Sequence, residues 1–225
     1  MPEQPSANVA LPIAECKYLT RGTVKEVYVH PNWPTAVLKI VRPELVDGEG
    51  QFSGHRGLKR RRNVGIYRQF SREISQYLSL CRRNYRNGTT LFPIAAPMGF
   101  VQTDQGLGLL SERIVDETGN LAPSIYTLLK DGTFSEVHGK ALLQFFNDCA
   151  RLHIVFGEVN WNGILFTTAR SGKPEFVLVD GIGEKNILPL KSIFWGLNSK
   201  RVRKVQSLIE ARIRNFAPAA KTCSA

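Results

Sequence analysis

Residues 155–181 constrain this chain more than any other stretch. An apolar helical segment runs into a short polar loop, Gly157-Glu158-Val159-Asn160-Trp161, and Asn162-Gly163 then opens the apolar run Ile164-Leu165-Phe166. A basic turn at residues 169–174 (ARSGKP) follows, and a second apolar run, Phe176-Val177-Leu178-Val179, ends in Asp180-Gly181. Two short apolar runs around a Gly- and Pro-containing turn read as paired strands. Such pairing sets Asn162 and Asp180 at adjacent strand ends, where two oxygen-bearing side chains can share one hard cation.

The 225 residues suffice for one two-lobed domain or two small ones, and 43% hydrophobic residues can build an ordinary core. No run approaches the roughly 18 apolar residues of a membrane span, and the N-terminus lacks a basic region followed by an apolar segment. A soluble cytoplasmic protein is therefore expected. Cys16, Cys81, Cys149 and Cys223 stand far apart without zinc-ligand spacing and read as reduced structural thiols. Net charge is +11, concentrated in residues 56–62 (RGLKRRR), 82–86 (RRNYR) and 200–204 (KRVRK). Each cluster is either a solvated basic face or an attractor for phosphate on nucleotide, nucleic acid or anionic lipid. Zinc-finger, aromatic RNA-binding and helix-turn-helix patterns are missing from the sequence.

In chain order, residues 1–14 read as a tail, frayed at least to Leu11. Strands are expected at 15–18 and 24–30, joined by Leu19-Thr20-Arg21-Gly22-Thr23, and a buried strand at 35–41 (TAVLKIV). Gly22 either satisfies a turn or lets main-chain N–H groups approach a phosphate. Lys39, flanked by Leu38 and Ile40, either points to an edge or has a fixed anionic partner, because an unpaired buried charge is costly. A partner is available in Glu73, on an expected helix at 67–80 whose apolar positions are Phe70, Ile74, Tyr77 and Leu78. A basic, Gly-rich insertion at 47–63 separates the two.

A hairpin is expected at 98–103 and 107–114 around Asp104-Gln105-Gly106. Helices are expected at 122–129, at 134–155 with Leu142, Leu143, Phe145, Phe146, Cys149, Leu152 and Val155 inward, and at 190–215. Packing positions in the last are Ile193, Phe194, Leu197, Val202, Val205, Leu208, Ile209 and Ile213. The fold class is α+β, with a sheet and one helix at 15–114 and a small, mostly helical half at 115–225.

The order Gly22, Lys39, Glu73, Asn162, Asp180 is that of a protein-kinase-like fold, in which the Lys–Glu pair places nucleotide phosphates and the Asn and Asp hold Mg²⁺. The chain also resembles the bacterial PhoP regulatory network protein YrbL family. The resemblance is carried by Leu19-Thr20-Arg21-Gly22, Tyr28-Val29-His30-Pro31, Val37-Leu38-Lys39-Ile40, Arg72-Glu73-Ile74, Gly106-Leu107-Gly108-Leu109, Asn162-Gly163-Ile164-Leu165 and Val179-Asp180-Gly181-Ile182-Gly183, over roughly residues 15–190. It implies a two-lobed fold and a nucleotide site for ATP and Mg²⁺. Gly22 would lie over the phosphates, Lys39 on the α- and β-phosphates with Glu73 holding it, and Asn162 and Asp180 on the metal. A connector beginning at Glu112 would meet the adenine through its main chain.

One departure matters. Kinase-like loops carry an Asp five residues before the metal-binding Asn, where it takes the acceptor's proton, and counting back from Asn162 lands on Gly157. Glu158, one step away, is the candidate replacement. The expected activity is weak phosphotransfer to an unknown protein or small-molecule acceptor, or nucleotide sensing by a pseudokinase. The alternative is a non-enzymatic basic scaffold that grips nucleic acid or an anionic membrane.

Overall fold

The computed structural model describes residues 10–53, 64–88, 91–183 and 194–220, with side chains as far as Phe216. The chain forms two compact units, residues 1–71 with 96–113, and residues 72–95 with 114–225.

The first unit is an antiparallel sheet of β1 (Lys17–Arg21), β2 (Lys25–His30), β3 (Trp33–Val41), β4 (Pro97–Thr103) and β5 (Gly106–Glu112), in the order β1-β2-β3-β5-β4. The apolar run 35–41 is the central strand because it is covered on both faces, and Ala36 and Leu38 are fully buried. Ile13, Cys16, Tyr28, Ile40 and Leu110 complete this core. Burying each large aliphatic side chain contributes about 1.5–3 kcal/mol. The expected hairpin forms, with Gly106 at φ +102° and the Thr103 hydroxyl donating to the Gly106 carbonyl at 2.6 Å.

Two expectations near the N-terminus need correction. The first strand starts at Lys17, and Leu19-Thr20-Arg21 belong to it instead of to the turn, because Ile13–Glu15 form a 3-10 turn that buries Ile13. The tail is tied down earlier than residue 15. Leu11 donates its N–H to the Gln102 carbonyl at 2.9 Å and accepts from Asp104 at 3.2 Å, adding a parallel bridge to β4.

α1 (Arg68–Arg83) starts in the first unit and runs into the second, which also holds α2 (Ile125–Lys130), α3 (Glu136–Arg151), the hairpin β6 (Ile164–Thr167) and β7 (Glu175–Leu178), and α4 (Trp195–Ala220). Residues 72–95 join this unit, and not the sheet half as expected, because Leu80, Phe92 and Ile94 bury in its core beside Phe146, Phe156 and Val202. Ser124 caps α2 by accepting the Thr127 N–H at 3.1 Å, and Ser135 opens α3 with His138 returning a bond to its N–H at 3.0 Å. Each such cap contributes about 1 kcal/mol.

α3 stops at Arg151, four residues before the expected end, because His153 turns left-handed at φ +56°. Leu78, Leu143, Leu197 and Leu208 are exposed where packing was expected, as is Phe194. In each helix the apolar set is wider than the buried stripe, and neighbours such as Leu80, Leu142, Val205 and Ile209 take the inner positions. Ile193 and the basic cluster 56–62 lie outside the described residues. Cys16, Cys81 and Cys149 are free thiols, and burial pushes the Cys149 thiol well up, which keeps it inert. No helix among the described residues is long and apolar enough to cross a membrane.

Candidate functional site

The β6–β7 hairpin positions the corner. Its register pairs Ile164 with Leu178 and Thr167 with Glu175, and the Val179 N–H donates to the Gly163 carbonyl at 2.8 Å, one rung further. Beyond this end of the ladder a Cβ on Gly163 would lie 3.6 Å from the Asp180 Cβ, and Asn162, in the turn just before Gly163, and Asp180 are both exposed. Asn160 shapes the approach, since its side-chain oxygen accepts the N–H groups of Asn162 at 2.9 Å and Gly163 at 3.1 Å and so caps the 3-10 turn Trp161–Gly163. One Asp180 oxygen accepts the Gly181 N–H at 2.8 Å, which fixes the carboxylate at the strand end.

Gly181 sits at φ +81°, and a Cβ there would lie 2.5 Å from the Glu158 carbonyl oxygen. The main chain of Glu158 therefore presses directly on the residue after Asp180. Glu158, Asn162 and Asp180 are all exposed around this one corner.

Gly157 is a constraint of the backbone. Its N–H donates to the Gly181 carbonyl at 2.8 Å, Phe156 bridges Ile182, and the Gly183 N–H donates to the Val155 carbonyl at 2.8 Å. A Cβ on residue 157 would meet the Gly183 oxygen at 2.8 Å and the Gly181 oxygen at 3.1 Å. No aspartate fits that position without moving the crossing of the two segments.

Side chains from α1 and α4 hold the same loop by its main chain. Buried Gln76 accepts the Val155 N–H at 3.1 Å and donates to the His153 carbonyl at 3.4 Å. Arg83 donates to that carbonyl at 3.3 Å, and burial, with Arg82 nearby, lowers its guanidinium pKa. Fully buried Asn198 donates to the Ile154 carbonyl at 3.0 Å, and Arg201 to the Gly157 carbonyl at 3.3 Å. The Trp195 indole donates to the Ala150 carbonyl at 3.2 Å and packs on the His153 ring.

The remaining candidates are placed as follows. Lys39 is buried on β3, paired in register with Val27 and Leu109, and Lys25 on β2 is buried as well. Gly22 sits in the β1–β2 turn, its N–H donating to the Lys25 carbonyl at 2.8 Å, while Arg42 donates to the Thr23 carbonyl at 2.9 Å. Glu112 ends β5 and its carboxylate accepts the Ala96 N–H at 3.1 Å. Glu73 is buried on α1, within the second unit. Sequence reading passed over Gln76, Asn160, Asn198 and Arg201. An Asn three residues before Gly163 is a recognisable capping signal; the other three bind distant main-chain groups and leave no local trace.

A family model described as PhoP regulatory network protein YrbL matches residues 11–213. Among solved structures, the Rio2 kinase-ADP/Mg²⁺-phosphoaspartate complex of Chaetomium thermophilum is similar at 16% identity and a TM-score of 0.43, over 84% of this chain and 54% of that one. This chain thus spans about half the length of that protein. No curated protein matches.

Proposed function

We propose, from the premise that this chain belongs to the PhoP regulatory network protein YrbL family, that it binds ATP with Mg²⁺ and transfers the γ-phosphoryl group slowly. The observation that carries the reading is the position of Asn162 and Asp180, both exposed, just beyond the same paired end of the β6–β7 hairpin. Asn162 and Asp180, two hard oxygen donors, would hold Mg²⁺, which would supply charge neutralisation for the nucleotide phosphates. Among the described residues no group of three or more His, Cys, Asp and Glu could hold a metal. On this reading Lys39 would take the α- and β-phosphates, Gly22 would cover them, and the chain from Glu112 would receive the adenine.

With residue 157 closed to any side chain, the carboxylate for the acceptor comes from Glu158, whose main chain abuts the Asp180-Gly181 step. Glu158 accepts the acceptor's hydroxyl proton as the bond from the γ-phosphorus to the leaving ADP oxygen breaks and the bond to the acceptor oxygen forms. Positioning and charge neutralisation supply most of the rate, so a displaced carboxylate is compatible with slow transfer.

Calorimetric titration with ATP, with and without Mg²⁺, tests the reading. Binding should need Mg²⁺ and weaken at least about tenfold, or about 1.4 kcal/mol, in Lys39→Ala and in Asp180→Ala with folding intact. Unchanged binding in both variants refutes it. Glu158→Gln should retain binding and lose transfer.

A second reading follows from the exposed Lys200, Arg203 and Lys204 on α4, a basic face for nucleic acid or an anionic membrane. Such binding should fall steeply with salt and ignore Mg²⁺.

A further inference from the structure

The second unit contains a cavity of about 210 Å³ that the nucleotide corner does not use. Glu175, which opens β7, lines it, so it lies at the opposite end of that strand from Asp180. Phe92 and Phe145, both buried, supply apolar wall, and Asn84, Gln144 and Asp148 are its other principal polar groups.

Most of this polar wall is already satisfied. Asn84 donates to the Leu80 carbonyl at 2.9 Å, and the two Asp148 oxygens accept from Gln144 at 2.9 Å and Arg151 at 2.8 Å. Glu175 differs. Its Oε2 forms an ion pair with Arg170 at 3.6 Å, and the Arg170 guanidinium also donates to the carbonyls of Phe92 at 2.8 Å and Ile94 at 3.3 Å. Glu175 Oε1 is buried without a hydrogen-bond partner. A carboxylate oxygen withdrawn from water with no donor is costly, and a native chain normally supplies one.

We propose that this cavity binds a small primary amine, its ammonium donating to Glu175 Oε1 and its aliphatic body lying against Phe92 and Phe145. The volume is below that of drug-sized pockets, which limits the occupant to a short molecule. An ammonium suits the site because Glu175 Oε1 accepts from no group, while Oε2 keeps its ion pair with Arg170 and Asp148 keeps its own with Arg151. The site is independent of the ATP reading.

The test is calorimetric titration of the full chain with 1,4-diaminobutane at millimolar concentration, with butane-1,4-diol as the uncharged control. The diamine should bind in the absence of nucleotide and the diol at least tenfold more weakly. Glu175→Gln should weaken the diamine at least tenfold. Ala141→Leu, which fills the cavity from α3, should abolish binding with the helical circular dichroism retained. Absence of diamine binding, equal binding of the diol, or binding that survives both substitutions overturns the proposal and leaves a water-filled space.

Discussion

Gly157 and Gly22 sit in two loops assigned to phosphate chemistry, and each is glycine for a different reason. At Gly157 the space is gone, since a Cβ would meet the Gly183 oxygen at 2.8 Å. At Gly22 the space is there: a Cβ would lie 3.5 Å from the Lys25 oxygen, an ordinary contact, and the backbone is not left-handed. The first glycine is required by the fold, whereas at the second the fold leaves room for a side chain. A missing catalytic aspartate in this chain is therefore a property of how two backbone segments cross.

The strongest way to break the contrast is Gly157→Asp, which restores the usual residue type. It should cost about 3 kcal/mol or more, from overlap with main-chain oxygens and a carboxylate set against them, and it should not raise phosphotransfer. Urea unfolding and an ATP turnover assay read both; a stable, faster variant would show that the crossing yields. Gln76→Leu comes next. It strands the Val155 N–H in the core and leaves the His153 carbonyl to Arg83 alone, and it should cost about 2 kcal/mol, read as a lowered urea midpoint with an unchanged slope. Gly22→Ala should be the mildest, within about 0.5 kcal/mol in stability. Its effect should be confined to ATP affinity, and a drop in melting temperature without loss of affinity would make Gly22 a structural residue like Gly157.

Much of the fold was legible because local pattern and final burial agree. The alternation in β2, the apolar run of β3, Asp104-Gln105-Gly106 and the paired runs ending in Asp180 each appear in the structure as read. Legibility failed where a residue is fixed by something distant. The end of α3 depends on a left-handed His153 whose carbonyl is held by Gln76 and Arg83, 77 and 70 residues away. Exposed Leu78 and Leu208 were indistinguishable from core residues because hydrophobicity alone does not say which stripe a helix buries. In the candidate site, the types and order of residues could be read and the closure of position 157 could not, since it is set by oxygens of residues 181 and 183.

The crossing of Gly157 with Gly181 and Gly183 also limits which positions of the loop can carry a side chain. Gly181 and Gly183 hold left-handed backbone at φ +81° and +88°, and a Cβ on Gly183 would meet Arg72 at 2.9 Å. Substitution at any one of the three is obstructed by the main chain of another segment. At this crossing a carboxylate can be carried without displacing main chain only by a neighbouring position, as Glu158 does.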